Sequence, residues 1–366
     1  LKHSQHIFEV AFDELSDQPF HEFSLLFKTT PSLVKLKSYK TVWQLVSTYL
    51  KNEKLRQAFS IQPLLLGGNP FDTTCIYSLI HFLERKWGIY FPIGGTGALV
   101  QALKKLMGEE GIKITTNSTI EKIVVENKVT KGVMIESGRK VSADIVVSNA
   151  DPMHMYDCMI STREQSITAR VKQRLSKISM GLYVLYFGTR ETYSDVAHHT
   201  IWMGARYKEL LKDIFDRKIL ADDFSLYLHR PTATDPSFAP AGCDSFYVLC
   251  PVPNLLGSVD WKIEGPLLQE RIVNALGNTI LPDLASTICS SFFMTPEDFK
   301  ENYLTAFGSG FSVAPTFKQS AWFRFHNKAE GPKNLFLVGA GTHPGAGLPG
   351  VISSAKVVDK MIPRSK

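Results

Sequence analysis

Residues 334–358 read NLFLVGAGTHPGAGLPGVISSAKVV, an apolar run that breaks into glycines and then resumes with helical spacing. Leu335, Phe336, Leu337 and Val338 suit a short buried parallel strand. Gly339, Gly341, Gly345, Gly347 and Gly350 let a backbone approach a ligand closely. Pro349 is well placed as an early helical residue, so a helix starting there would aim free N–H groups at negative charge. The spacing departs from the usual dinucleotide fingerprint, since Pro344 stands where a third glycine belongs. Asp359 is at the distance of a ribose-binding acid but falls in a helical pattern with no strand after it. A complete βαβ unit needs about 30 residues and a second strand. The stretch is therefore expected to be a closing βα unit that returns to a sheet begun elsewhere.

The rest of the chain is ordinary globular protein. Its 366 residues predict two or three domains, and 44% hydrophobic residues predict a sizeable core. A net charge of +6 is too small and too dispersed for a nucleic-acid partner. Cys75, Cys158, Cys243, Cys250 and Cys289 lack CxxC spacing, so neither a metal site nor a disulfide framework is expected, and a reducing, cytoplasmic setting fits. No run of 18 apolar residues predicts a membrane span, and no signal peptide is visible. The opening LKHSQHIFEVAFDEL begins in mid-pattern like the inside of a helix, which predicts an N-terminal part upstream of Leu1.

Four segments follow from the patterning. Residues 1–85 are helical, with Phe8, Phe12 and Leu15 at helical spacing and one short helix expected between Pro19 and Pro31. Leu36, Trp43, Val46 and Leu50 then predict one face of a basic, aromatic helix able to lie in a bilayer interface, or else to pack on its own domain. Residues 86–150 predict a helix over 97–110 that stops at Gly111, then the strands IKITT, IEKIVVEN, VTKGVMIE and ADIVVSN with turns at 126–127 and 137–138. Residues 151–325 form a second αβ region dense in aromatic side chains, which serve either as core or as the lining of an apolar channel. Residues 326–366 carry the glycine tail.

The stretch LVGAGTHPGAGLPGVISSAK resembles the C-terminal flavin motif of the bacterial-type phytoene desaturases, the carotenoid branch of the amine-oxidase-like flavoproteins. LRQAFSIQPLLLGGNPFDTTCIYSLIHFLERKWGIYFPIGGTGALVQAL, AHHTIWMGARYKEL and GSGFSVAPTFKQSAWFRFHN resemble the same family, in the same order along almost the whole chain. The family's opening strand and GxGxxG turn have no counterpart in residues 1–60. The chain thus looks like the family from its middle onward, and on this reading it would be inactive alone.

The resemblance implies an α/β fold of mixed α+β character. It comprises a partial FAD-binding Rossmann-like domain, a mixed-sheet substrate domain and a helical membrane-facing region. It implies FAD as cofactor, with the backbones of Gly339, Ala340, Gly341, Thr342 and His343 in contact with it. The helix start Gly347, Leu348, Pro349, Gly350 and Val351 would face the isoalloxazine, Ile120 the adenine, and Ser148, Asn149 and Ala150 would close the pocket. The implied reaction is desaturation of phytoene and partly desaturated carotenes towards lycopene, with quinone or oxygen as final electron acceptor. An apolar substrate implies peripheral association with the inner membrane, and a homo-oligomer is a further possibility. His343 stands as a candidate base or hydrogen-bond anchor, and Lys28 as a candidate cation near the reacting end or a solvated surface charge. Two other readings remain open. One is a related carotenoid desaturase or isomerase acting on another polyene; the other is a non-catalytic lipid-binding piece.

Overall fold

A computed structural model describes residues 1–363. Among them, strands β1 (Ile120–Glu126), β2 (Val129–Ile135), β3 (Lys140–Ser142), β4 (Val146–Ser148) and β5 (Gly181–Thr189) come first. Strands β6 (His199–Trp202), β7 (Leu226–His229), β8 (Asp244–Val252), β9 (Ile288–Met294) and β10 (Leu335–Leu337) follow. The chain divides into two compact units. One gathers residues 1–88, 118–180 and 303 onward; the other holds 89–117 and 181–302. These units cut across the four sequence segments: the helix Gly95–Glu109 clusters with the second unit, and residues 303–325 cluster with the first.

In the first unit, β1, β2 and β3 form an antiparallel meander. Asn127 and Lys128 turn the first hairpin with φ of 50° and 63°, the left-handed pair that a two-residue hairpin loop requires. β4 and β10 pair in parallel, with Leu335 opposite Val146 and Leu337 opposite Ser148. Leu335, Phe336 and Leu337 are all buried, as the apolar run predicts. Leu335 and Leu337 pack with Met155, Tyr156 and Phe325 in one core cluster.

The N-terminal helices differ from the sequence expectation. The helix bounded by prolines runs straight through Pro31, as Phe23–Lys35. The single basic helix around Trp43 is three pieces: Leu36 ends the first helix, Val42–Tyr49 is the second, and Glu53–Ala58 is the third. Lys37 adopts φ 58° in the break, and Thr41 caps the second helix through a reciprocal capping box with Gln44. Spacings of three, four and seven were satisfied by residues on different helices. Val42, Leu45 and Val46 point inward, and Trp43 is half-buried against Phe71 at 4.7 Å. The expected strand IKITT also fails to form, and Ile112 and Ile114 are exposed. A β pattern becomes a strand only where a neighbour completes its hydrogen bonds, and among the described residues none is in register with 112–116.

The second unit is built on a five-stranded sheet in the order β6-β7-β8-β5-β9, antiparallel at every pairing. β8 alternates strictly between buried and half-buried residues, while β5 is buried along its whole first half. Tyr183, Leu185, Phe187, Phe246, Val248 and Leu228 face a core closed by the helix Trp261–Gly277, through Leu268, Ile272 and Leu276. Several of the aromatic residues are thus core. The opposite face carries a ladder in register across all five strands: His199 opposite His229, His229 opposite Tyr247, Tyr247 opposite Tyr186, and Tyr186 opposite Phe292. Tyr186 stacks on Phe292 at 4.6 Å and Tyr247 on His229 at 4.5 Å, contacts that directly opposed residues in a sheet naturally make.

Candidate cofactor site

The glycine tail folds as strand, loop and helix. β10 delivers the chain to Gly339, whose φ of 104° is open to glycine and strained for any other residue. Gly347, at φ 92°, is the N-cap of the helix Leu348–Asp359, and Pro349 lies in its first two positions. Ser354, buried one turn further on, accepts the amide hydrogen of Gly339 on its hydroxyl at 2.9 Å and so fastens loop to helix.

A buried arginine sets the shape of the loop. Arg324, 2% exposed, donates from Nε to the carbonyl of Thr342 at 2.9 Å and from Nη2 to the carbonyl of Ala340 at 2.6 Å. It also reaches the carbonyls of Val313 at 3.3 Å and Gln319 at 3.4 Å. Asn327 adds donor bonds to Leu337 O at 3.2 Å, His343 O at 2.9 Å and Thr342 Oγ1 at 3.3 Å. Lys172 in turn holds the carbonyl of Arg324 at 2.6 Å while pairing with the buried Glu330 at 2.6 Å. The planar fork of a guanidinium suits this task, because it presents several donors in fixed directions. Sequence reasoning missed Arg324 and Asn327. Their signal was the polar spacing in FRFHN, eight or more residues ahead of the strand they serve.

With its carbonyls gathered inward, the loop leaves the amide hydrogens of Ala340 and Gly341 without an acceptor among the described residues. The first-turn amides of Leu348 and Gly350 also lack intrahelical acceptors, as at any helix start. Buried polar groups lie beside the loop. Asp151 accepts the amide hydrogen of Met153 on Oδ1 at 2.8 Å, and the hydroxyl of Ser312 bears on the same buried carboxyl. Burial pushes the Asp151 carboxyl above the usual carboxylate range. A Cβ on Gly341 would stand 2.3 Å from Pro152 Cδ and 2.7 Å from Ser312 Oγ, and a Cβ on Gly339 2.4 Å from Asn149 Oδ1. Free amides and glycines packed too closely for a side chain fit a large polar cofactor with phosphate and ribityl groups.

The structure brings several expected site residues together. Gly339 to His343, Gly347 to Val351, and Asn149 belong to one cradle. Ile120 opens β1 opposite Ile135, and Ala150 follows β4; both pack half-buried on the core cluster that holds Leu335 and Leu337. Lys28 lies exposed on the helix Phe23–Lys35.

His343 is 7% exposed, with Nε2 3.2 Å from the carbonyl of Leu15, Nδ1 unpaired and its ring 4.7 Å from that of Phe20. Burial lowers its pKa to about 4, with the Arg324 charge acting in the same direction. The unfolded chain takes up this proton near 6.5, so it binds more protons than the folded chain between the two values. Stability is therefore complete above pH 6.5 and is lost as pH falls towards 4, by about 3 kcal/mol from this group. Urea unfolding of the parent and of His343→Gln at several pH values checks this. The difference between the two curves should slope across that window and be flat above it.

The family model described as flavin containing amine oxidoreductase matches residues 44–358. The lycopene-forming phytoene desaturase of Pseudescherichia vulneris is 45% identical over 363 residues, covering 99% of this chain and 74% of that protein. The neurosporene-forming phytoene desaturase of Cereibacter sphaeroides is 42% identical, covering 99% of this chain and 71% of that protein. Among solved structures, an oxidoreductase from Methanosarcina mazei superposes with a TM-score of 0.62 at 16% identity, over 93% of this chain and 73% of that one, which speaks to fold alone. The chain belongs to the flavin containing amine oxidoreductase family, within its phytoene desaturase branch.

Proposed function

We propose that this protein carries out the FAD-dependent desaturation of phytoene towards lycopene. The observation that carries the reading is the 45% identity to a lycopene-forming desaturase across 99% of the chain, the glycine cradle included. When bound, the flavin supplies the two-electron acceptor for hydride removal from an sp3 carbon, while the neighbouring proton leaves to a base or to solvent. The chain's own residues bind and orient. The amides of Ala340 and Gly341 would hold the cofactor's oxygens, and the positive end of the helix Leu348–Asp359 would favour negative charge on the flavin. Ile120 and Ala150 would take the adenine side. His343 serves as an anchor: its bond to the Leu15 carbonyl and its low pKa suit holding the loop against the N-terminal helices.

Phytoene offers no polar handle, so its recognition rests on apolar and aromatic surface. The half-buried tyrosine face of the five-stranded sheet, Tyr186, Tyr227 and Tyr247, supplies such a surface. The final electron acceptor is a quinone or oxygen. The test is product analysis: the gene product with FAD on phytoene-loaded anionic liposomes should yield lycopene or partly desaturated carotenes. Unchanged phytoene overturns the assignment, and geometric isomers alone assign the protein to isomerisation. The neurosporene-forming relative marks an earlier stopping point as a second product outcome.

No helix among the described residues is long and apolar enough to cross a membrane. Collection of a bilayer-soluble substrate then calls for peripheral contact from the cytoplasmic side. The surface best suited to it is an aromatic cluster on the preceding helix Phe23–Lys35, since the apolar residues Val42, Leu45 and Val46 of the Trp43 helix are turned inward. Phe23 is 51% and Phe27 67% exposed, with their rings 4.8 Å apart, and Phe23 meets Trp322 at 5.1 Å. Replacing both phenylalanines with serine removes about 3 kcal/mol or more of apolar contact with a bilayer. Recovery with floated liposomes should fall sharply while the melting profile stays unchanged. Equal flotation of parent and variant would remove this patch from consideration.

A further inference from the structure

A second cluster of chemically capable side chains stands apart from the glycine cradle, at the β6 end of the five-stranded sheet. His199 of β6 lies directly opposite His229 of β7, so both imidazoles project from the same face. His198 adjoins them from just before β6, its ring 4.4 Å from that of His199 and 4.6 Å from that of His229. One ring nitrogen from each of the three lies within 4.8 Å of the other two.

The distances resemble a ligand set more than a packed core. The Nδ1 atoms of His199 and His229 are 3.4 Å apart. Two nitrogens bound tetrahedrally to zinc at about 2.0–2.1 Å stand about 3.4 Å from each other, so these two already have the spacing of a bound pair. His198 directs Nδ1 to the hydroxyl of Thr234 at 2.5 Å, the outer hydrogen bond that fixes the tautomer of a metal-bound histidine. That leaves Nε2 as its free nitrogen, and Nε2 is buried without a partner. The Tyr227 hydroxyl lies 2.7 Å from His199 Nδ1 and 3.3 Å from His229 Nδ1, an oxygen beside both nitrogens. Phe91 at 4.6 Å from His198 and Tyr247 at 4.5 Å from His229 wall the cluster with apolar rings and hold the imidazoles in place.

We propose that His198, His199 and His229 form a binding site for a first-row transition-metal dication of the zinc type. The donor set is all imidazole, which favours Zn2+, Co2+, Ni2+ or Cu2+ over the oxygen-seeking Mg2+ and Ca2+. Three histidines leave a fourth position, open to water or to the Tyr227 oxygen. A bound ion would tie edge strand β6 to β7 at its first residue pair, adding an anchor where a sheet is easiest to fray. None of the three residues belongs to the flavin cradle, and Tyr227 and Tyr247, which border the cluster, also lie on the sheet face proposed to receive phytoene.

Cobalt provides the test, because tetrahedral nitrogen coordination of Co2+ gives a visible absorption band that zinc displaces. Chelator-treated protein titrated with Co2+ should develop a saturating band at one ion per chain, and Zn2+ should abolish the band and raise the melting temperature. His199→Gln, at an exposed position, and His229→Gln should each weaken Co2+ binding more than about tenfold. His154→Gln, outside the cluster, should leave it intact. Absence of a saturating band, or its persistence in either cluster variant, overturns the proposal and makes the three imidazoles a hydrogen-bonded cluster only. Loss of the band in His154→Gln as well overturns it too, since binding would then follow general surface histidines.

Discussion

Replacing Arg324 by leucine is expected to cost about 3–5 kcal/mol of stability and to abolish flavin retention. The guanidinium is fully buried and bonded to carbonyls of two segments, Ala340 and Thr342 in the loop and Val313 and Gln319 outside it. Leucine fills much of the volume but leaves those oxygens dry and unpaired, and an unpaired buried acceptor carries its whole desolvation cost. Without the inward pull on Ala340 and Thr342, nothing obliges the intervening amide of Gly341 to point the other way. Arg324→Lys should fall between parent and leucine, since an ammonium keeps the charge but cannot span both loop carbonyls in one plane. Urea unfolding measures the stability, and the flavin absorbance of the purified protein measures retention. A leucine variant that unfolds with the parent and stays yellow would show that the loop holds its shape without this residue.

Gly339→Ala should be nearly as damaging, by about 2–4 kcal/mol, for a different reason. A methyl group there meets Asn149 Oδ1 at 2.4 Å on a backbone with φ 104°, so both sterics and torsion oppose it. Gly341→Ala adds a second case in which only the steric part operates, against Pro152 at 2.3 Å. Pro152 starts a helical turn capped by Asp151 and yields little. The contrast is Gly97→Ala, in the helix Gly95–Glu109, where an added Cβ meets nothing within 4 Å. There the substitution should stabilise by up to about 1 kcal/mol through helix propensity. Thermal and urea melts of the three variants, with flavin titration of each, decide the matter. Equal effects at Gly339 and Gly97 would mean that the loop glycines are not held by close approach.

Much of the site was legible in the chain because its information is local. A strand, a glycine-rich turn and a proline-started helix are encoded within 25 consecutive letters, and each residue's conformational limits act on its own backbone. The same holds for the hairpin turn expected at 126–127, found at Asn127 and Lys128, and for the buried apolar run of β10. What remained hidden depends on partners distant in sequence. The periodicity that joined Leu36, Trp43, Val46 and Leu50 was real, but a core satisfies spacing with any helix that reaches it, and Thr41 capped a new one. The IKITT pattern had β composition, but among the described residues no strand pairs with it.

The chain by itself determined a glycine-rich loop ahead of a proline-started helix, since Gly339, Gly345 and Gly347 adopt torsions that only glycine takes without strain. Tertiary structure alone decided that Arg324 and Asn327 would draw the loop's carbonyls inward, and that His199 and His229 would face each other across two strands. Hydrogen-bond direction and cross-strand register are relations between segments, and no single segment carries them.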